Sequence, residues 1–234
     1  MELQSGVRPD EPVLRPDDLV LGLDEAGRGS WLGPLVIGGF LTDRATAERL
    51  PEMGVADSKC LTPRRREVLF RQLAKAGRRL SIALPPATID RWVRDGRLND
   101  LEAHAFARLI RRTRPGFVYL DACDPIASRF GIRVASLSGV EARMDARHRA
   151  DEEIPVVSAA SIVAKVCRDR AVSRLSKQLD GEIGSGYPSD PTTVTFVRDF
   201  FASPHPHPEW LRYSWAPTER LMRERSARPL ESFE

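Results

Sequence analysis

Apolar residues are grouped along the chain in short runs, which are separated by glycine, proline and charged residues. Short runs rich in valine, isoleucine and leucine are typical of buried strands, because such side chains suit a packed sheet. We therefore predict strands at residues 19–24, 33–41, 79–84, 117–121 and 132–136.

Longer segments between these runs carry the start and stop signals of helices. Thr62-Pro63 provides an N-cap and a first-turn proline, and Gly77 is placed to end that helix. Asn99 followed by Glu102 resembles a capping box at the start of a second helix. Further helices are predicted at about 157–179, after Asp190-Pro191 and after Pro217.

The order of these elements indicates the fold class. The early strands follow one another at hairpin spacing, and the later ones alternate with helices. This order predicts an α/β protein with a mixed central β-sheet and helices packed on its faces. Residues 1–18 show little periodicity and are predicted to form a flexible N-terminal segment.

Composition narrows the class of protein. The 234 residues, of which 41% are hydrophobic, suit one compact domain with appendages. No apolar run reaches the ~18 residues of a membrane span, and the N-terminus lacks the apolar core of a signal peptide. Cys60, Cys123 and Cys167 are too widely spaced for a zinc pattern or a disulfide framework. We therefore expect a cytoplasmic protein without membrane contact.

The charge distribution suggests a partner more clearly than the net charge of +3 does. Residues 62–79 contain seven arginines or lysines and a single glutamate. A helix with such a face can bind a phosphate backbone, although a solvated arginine-rich surface is the alternative interpretation.

The strand at 19–24 ends in two adjacent carboxylates, Asp24 and Glu25, which are followed by a glycine-rich turn. Hard oxygen ligands beside glycines predict a cation site that faces a phosphate or a sugar. A dinucleotide-binding loop is disfavoured, because Leu32 stands where a glycine is needed and a strand follows Pro34. A solvated hairpin with a charged corner remains the structural alternative.

Two further carboxylates lie at element boundaries. Asp121 ends a predicted strand, and Asp151 lies just before the longest predicted helix. If they converge with the carboxylates of the first strand, they could hold two divalent ions for phosphodiester hydrolysis. Tyr187 lies in a glycine-rich loop, where it is either a simple turn residue or an aromatic platform for a sugar or base.

Five motifs follow one another along the chain. They are L-D-E-A-G-R-G at 23–29 with Gly33-Pro34, A-D-S-K at 56–59 with Leu61 and Pro63, Y-L-D-A at 119–122, A-D at 150–151 with V-S-A-A-S-I-V-A-K-V-x-R-D-R at 157–170, and G-Y-P at 186–188. In this order and spacing they resemble type 2 ribonuclease H (RNase HII), over about residues 20–215, and the spacing is similar to that of the archaeal branch.

The resemblance implies a ribonuclease H-like catalytic domain at residues 19–180 and a C-terminal helical extension at 181–234 packed on it. It implies cleavage of RNA in RNA–DNA hybrids and of duplex DNA 5′ to embedded ribonucleotides, with Mg²⁺ or Mn²⁺. The resemblance also implies a role in ribonucleotide excision repair and RNA primer removal, with products that carry 5′-phosphate and 3′-hydroxyl ends. The implied catalytic metal ligands are Asp24, Glu25, Asp121 and Asp151.

The same resemblance assigns substrate contacts. The backbone of Gly27, Arg28 and Gly29 would recognise the 2′-hydroxyl, and Tyr187 would stack on the following sugar. Lys59 would contact a backbone phosphate, although Cys60 replaces the second lysine that is common in the family.

Some expectations remain open at this level. A type 3-like ribonuclease H acting on longer RNA tracts, or a nucleic-acid-binding homologue without catalysis, would share much of this pattern. Asp169 lies close to a matching motif but is interpreted as support for the long helix rather than as a metal ligand. A monomer is expected. Phe233 near the C-terminus could anchor a sliding clamp, but a frayed tail is the favoured interpretation of this end of the chain.

Overall fold

The computed structural model describes residues 19–55, 61–202 and 208–226. The predicted N-terminal segment at 1–18 therefore lies outside the described residues. Within the described ranges, no helix has both the length and the apolar character that crossing a membrane would require.

A five-stranded mixed sheet forms the centre of the protein, in the order β3-β2-β1-β4-β5. β2 runs antiparallel to both of its neighbours, β1 and β3, whereas β4 and β5 run parallel to β1. The strands are β1 (Leu19–Ala26), β2 (Leu35–Asp43), β3 (Arg78–Leu84), β4 (Phe117–Asp121) and β5 (Arg143–Arg147). Four of them confirm the predicted strands, and the predicted α/β class is also confirmed.

Helices cover both faces of this sheet. The start and end predicted for α2 are confirmed, since the Thr62 side chain accepts a hydrogen bond from Arg65 N and Gly77 follows the last turn. A short 3₁₀ helix lies at Leu50–Met53. The α-helices are α1 (Arg44–Arg49), α2 (Pro63–Ala76), α3 (Pro86–Arg94), α4 (Leu98–Thr113), α5 (Ala127–Ser138), α6 (Ala150–Glu153), α7 (Pro155–Gln178), α8 (Pro191–Ala202) and α9 (Ala216–Ser226).

The strand predicted at 132–136 is wrong, because these residues lie within α5. Phe130 and Val134 are buried one helical turn apart, which is the spacing of a helix face and not of a strand. The fifth strand is instead β5, whose sequence R-M-D-A-R lacks the apolar run on which the prediction relied. Pairing with β4 makes it a strand despite that polar sequence.

Helix α7 lies directly on the centre of the sheet because two strand glycines give it room. A Cβ atom on Gly22 would lie 2.1 Å from Val156 O, and one on Gly38 would lie 2.4 Å from Ala160 O. Alternation along β1 directs Val20 into the core beneath α7 and Leu21 into the core beneath α4 and α5. Both faces of β1 are therefore covered by helices.

Candidate active site

Three carboxylates meet where β1 and β4 end. Asp24 and Glu25 are the last polar residues of β1, and Asp121 is the last residue of β4. The two strands are parallel neighbours, with Leu23 opposite Leu120, so the residues that follow each of these partners lie side by side. One ligand oxygen from each of the three carboxylates lies within 4.8 Å of the others. We call these three residues the carboxylate cluster.

The cluster is held from both faces of the sheet. Asp24, 4% exposed, is hydrogen-bonded by the Ser161 side chain of α7, and its Oδ1 accepts from Glu25 N at 2.7 Å. Asp121 Oδ1 accepts from Ala150 N at 2.8 Å, which ties the start of α6 to the end of β4. The carboxylates are therefore placed by regular secondary structure rather than by a loop.

The cluster carries more negative charge than its surroundings satisfy. Burial raises the pKa of Asp24 to about 7, and the nearby Asp121 and Asp151 charges add to this effect. Burial also raises the pKa of Glu25 well above its ordinary value, and Asp24 contributes further. Glu25 Oε2 is buried without a hydrogen-bond partner among the described residues. Crowded hard oxygens of this kind fit a divalent cation such as Mg²⁺ or Mn²⁺.

Asp151, the predicted fourth ligand, is buried in α6 but is not one of the three residues whose oxygens converge. Its charge is nevertheless close enough to raise the pKa of Asp24. Ser158 Oγ donates to Asp151 O at 2.5 Å and fixes α6 against α7. Asp169 instead forms an ion pair with Arg66 of α2 at 3.1 Å. The structure therefore places Asp151, and not Asp169, beside the cluster.

A tight turn follows the carboxylates, and its two glycines have different surroundings. Gly27 has φ +90°, and a Cβ atom there would lie 2.4 Å from Arg168 Nε. Gly29 is exposed, and a Cβ atom there would meet nothing within 4 Å. The packing of the described residues therefore requires glycine at 27 but not at 29.

The side chain of Arg28 is anchored inside the protein. Its guanidinium pairs with the fully buried Glu102 and donates to Asn99 Oδ1 at 2.6 Å. The predicted capping box is consequently wrong, since α4 begins at Leu98 and the N-cap residue Arg97 makes no side-chain cap. Asn99 and Glu102 face Arg28 because their helix packs beside the turn, and this leaves the backbone of Arg28 in a fixed position.

The loop that carries Tyr187 is also fixed in position. The Arg168 guanidinium lies 4.4 Å from the centre of the Tyr187 ring, and its Nη2 donates to Ser185 O at 3.0 Å. Gly184 and Gly186 have φ values of +67° and +83° and closely approach neighbouring atoms. These glycines permit a tight conformation in which the tyrosine ring is held by a cation–π contact.

Three segments are joined around the glycine turn. Trp31 N donates to Gly186 O at 2.7 Å, and Gly33 N donates to Trp210 O at 2.8 Å. Arg212, from the segment before α9, donates through Nη1 to Arg28 O at 2.9 Å. The turn is therefore bound both to the Tyr187 loop and to the C-terminal part of the chain.

Sequence reasoning missed Glu102, Arg168 and Arg212 as site residues. Arg168 lies in the quoted long-helix motif, but nothing in a single sequence shows that its side chain reaches two loops at once. Lys59 lies outside the described residues, so its predicted phosphate contact stays a prediction.

Comparison with known proteins places the chain among related sequences and structures. The Ribonuclease HII family model matches residues 21–218. A Ribonuclease HII of Cenarchaeum symbiosum is 48% identical over 204 residues, which cover 87% of this chain and 98% of the relative. The crystal structure of ribonuclease H2 from Pyrococcus horikoshii OT3 has a TM-score of 0.83 at 38% identity, and the match covers 90% of this chain and 100% of that chain.

A second solved structure, the PCNA:RNase HII complex from Archaeoglobus fulgidus, has a TM-score of 0.78 at 36% identity, covering 84% of this chain and 95% of that chain. Fold and carboxylate cluster together define a metal-dependent hydrolase of the ribonuclease H class. Within that class, the chain belongs to the ribonuclease HII family. The family predicted from the motifs is thereby confirmed.

Proposed function

We propose that this protein cleaves the RNA strand of RNA–DNA hybrids, and duplex DNA on the 5′ side of an embedded ribonucleotide. The observation that carries the proposal is the carboxylate cluster placed directly before a turn whose Gly29 is open to an approaching ligand. The end of one strand thus carries a cation site, which can bind a phosphodiester, and a turn whose backbone a ligand can approach closely, which can bind the neighbouring sugar hydroxyl.

Asp24, Glu25 and Asp121 would hold divalent metal, with Asp151 completing the ligand set from α6. Bound Mg²⁺ or Mn²⁺ would supply activation of water and stabilisation of the leaving oxygen, and two ions would allow both at once. In-line attack by water would leave 5′-phosphate and 3′-hydroxyl ends. The excess of buried negative charge supports this role, because a cation offsets the burial and the carboxylate repulsion that together raise the pKa of Asp24.

Recognition of the ribonucleotide would rest on the backbone of Gly27, Arg28 and Gly29. The 2′-hydroxyl both donates and accepts hydrogen bonds, so a rigid peptide backbone can distinguish RNA from DNA at one position. Anchoring of the Arg28 side chain by Glu102 supports this role, because it holds the backbone still. Tyr187 would stack on the sugar after the ribonucleotide, with its ring held by Arg168.

The biological setting proposed is ribonucleotide excision repair and RNA primer removal by a cytoplasmic monomer. The Archaeoglobus fulgidus relative is described in a complex with PCNA, which supports a clamp contact here as well. We place that contact in the C-terminal residues around Phe233, which lie outside the described residues.

The decisive experiment uses three labelled duplexes of one sequence: all DNA, DNA with one ribonucleotide, and an RNA–DNA hybrid. Each is incubated with Mg²⁺, with Mn²⁺ and with a chelator, and the product ends are mapped. We expect metal-dependent cleavage of the two ribonucleotide-containing duplexes, with a 3′-hydroxyl on the upstream product. Cleavage of the hybrid alone would favour a type 3-like activity. Tight binding without cleavage would favour a binding protein.

A further inference from the structure

Arg212 spans both ends of the glycine turn from outside the catalytic sheet. The residue is fully buried, with a relative exposure of 0%. Its Nη1 donates to Arg28 O at 2.9 Å, while Nε and Nη2 each lie 3.2 Å from Gly33 O, to which they donate. One planar guanidinium therefore fixes two carbonyls that lie five residues apart in the chain.

Arg212 is itself held in a defined position. Its backbone N–H donates to Trp31 O at 3.1 Å, and its carbonyl accepts from Thr218 Oγ1 at 2.7 Å. Thr218 Oγ1 also accepts from Trp31 Nε1 at 2.5 Å. The carboxylate of Asp90 accepts hydrogen bonds from the two backbone N–H groups that follow Arg212. The base of the arginine is consequently as rigid as the turn that it contacts.

The charge of Arg212 is balanced by carbonyl dipoles rather than by a direct carboxylate partner. Among residues 19–55, 61–202 and 208–226, no carboxylate lies within ion-pair distance of it. Burial lowers its pKa to about 9, and the neighbouring Arg168 charge adds to this, so the guanidinium remains protonated at neutral pH. Hydrogen bonds from a charged donor are stronger than neutral ones, so the Arg28 and Gly33 carbonyls are firmly held.

The orientation of the Arg28 carbonyl determines that of the next amide. The peptide bond between Arg28 and Gly29 is planar and trans, so its C=O and N–H point in opposite directions. Since the C=O faces Arg212, the Gly29 N–H faces away from the C-terminal segment. That N–H makes no hydrogen bond with the described residues, and Gly29 is exposed. The hydrogen bond from Arg212 to the Arg28 carbonyl therefore leaves the Gly29 N–H pointing outward.

We propose that Arg212 is a positioning residue for ribonucleotide recognition, which it serves by orienting the Arg28–Gly29 peptide so that the Gly29 N–H meets the 2′-hydroxyl. The C-terminal segment is then part of the specificity apparatus and not only a cover for the core. This inference rests on the proposed function, because it assigns the geometry of the same recognition turn.

The test is a competition assay that separates recognition from catalysis. Cleavage of a labelled RNA–DNA hybrid is inhibited by unlabelled duplex that is either all DNA or carries one ribonucleotide. The ratio of the two inhibition constants measures what a single 2′-hydroxyl contributes to binding. Arg212→Lys retains the charge but not the planar fork, and it should reduce this ratio by about three- to tenfold, the scale of one hydrogen bond. Arg212→Gln should reduce it at least as much.

The matched control is Thr42→Val, which removes the hydrogen bond from Thr42 Oγ1 to Ala76 O opposite the start of β1, away from the glycine turn. It should lower the melting temperature and keep the wild-type ratio. An unchanged ratio in Arg212→Lys, or an equal loss in Thr42→Val, would overturn the positioning role, because the effect of Arg212 would then be no more than general stabilisation of the fold. If wild-type protein does not cleave the hybrid at all, the proposed function fails instead.

Discussion

The carboxylate cluster and the glycine turn follow one another on β1, yet they differ in how their polar groups are satisfied. The cluster brings three carboxylates within 4.8 Å and leaves Glu25 Oε2 without a hydrogen-bond partner among the described residues. The turn is bound by the side chain of Arg28, by Arg212 and by the Tyr187 loop. The carboxylate cluster therefore has buried charge that the described residues do not fully balance, whereas almost every polar group of the glycine turn is hydrogen-bonded.

This difference indicates that the two regions have separate roles. A site with unsatisfied buried charge gains most from a ligand of opposite charge, so the cluster is suited to metal. A site that must distinguish one hydroxyl group needs donors whose positions do not relax when the wrong substrate arrives. Changes in the cluster should therefore affect cleavage of every substrate, whereas changes in the turn should affect discrimination between substrates.

The largest effect is expected from Asp121→Asn, which removes one charge from the cluster while retaining its shape. Loss of a ligand should weaken metal binding and remove several kcal/mol of transition-state stabilisation. That corresponds to a decrease of at least about a thousandfold in kcat/KM. Both the hybrid and the single-ribonucleotide duplex should be affected alike. Circular dichroism should confirm the fold, and near-normal cleavage would refute the metal assignment.

A second variant, Gly29→Ala, adds one methyl group to the open side of the turn. Since that methyl group meets no protein atom within 4 Å, the fold and melting temperature should be unchanged. It would occupy the space required by the sugar, and displacement of a substrate by about 1 Å can cost on the order of 100-fold in rate.

The control for this variant is Gly27→Ala, where φ is +90° and the methyl group would lie 2.4 Å from Arg168 Nε. It should lower the melting temperature through strain in the protein itself. Full activity of Gly29→Ala on the single-ribonucleotide duplex would show that nothing approaches the turn closely.

Tyr187→Ala tests the aromatic part of the recognition region. Stacking in nucleic-acid complexes is worth ~1–3 kcal/mol, so kcat/KM on the single-ribonucleotide duplex should fall about 5- to 150-fold. Tyr187→Phe keeps the ring over Arg168 and should recover most of the stacking component. An equal loss on long hybrids would mean that the ring is structural, and no loss on either substrate would favour the type 3-like alternative.

The electrostatic imbalance of the cluster predicts an unusual stability effect for Asp24→Asn. Because folding raises the pKa of Asp24 from 3.8 to about 7, its charged form destabilises the metal-free protein. This penalty is fully present above about pH 7 and disappears as the pH falls through 3.8. In chelator at pH 8, the variant should melt above wild type, by about 2–4 °C for each kcal/mol relieved. A gap that grows towards low pH would contradict the predicted sign.

The carboxylate cluster could be predicted from the sequence because its members end strands. Asp24 and Asp121 each follow an apolar run, and parallel neighbouring strands bring their ends together. Four strands and the limits of α2 were predictable for the same reason, since local patterns determine them. The missed strand β5 has no such pattern, and its pairing with β4 is a tertiary effect.

The supports of the glycine turn could not be predicted from the sequence. Glu102 is 74 residues from Arg28 along the chain, and the Arg212 contact with Gly33 spans 179 residues. No local spacing encodes contacts at such separations. The capping-box prediction failed for a related reason. The Asn99 side chain could either cap the start of α4 or accept a hydrogen bond from Arg28, and tertiary packing places it against Arg28.

The smallest predicted effect lies outside both regions, on the basic face of α2. Arg66 pairs with Asp169 and Glu67 pairs with Arg170, so part of this face serves to join α2 to α7. The exposed Arg64 and Arg65 are the better candidates for phosphate contact.

Arg64→Gln with Arg65→Gln should therefore weaken binding of all duplexes similarly and reduce the slope of log K against log salt by about 0.7–0.9 per lost contact. Arg94→Gln, which removes an exposed arginine from α3, is the control and should leave the slope unchanged. Discrimination for a ribonucleotide should be preserved in the α2 variant, because a phosphate contact carries no information about a 2′-hydroxyl. A slope identical to wild type would identify this part of α2 as a solvated face, and a loss of discrimination would show that the glycine turn is not the only specificity element.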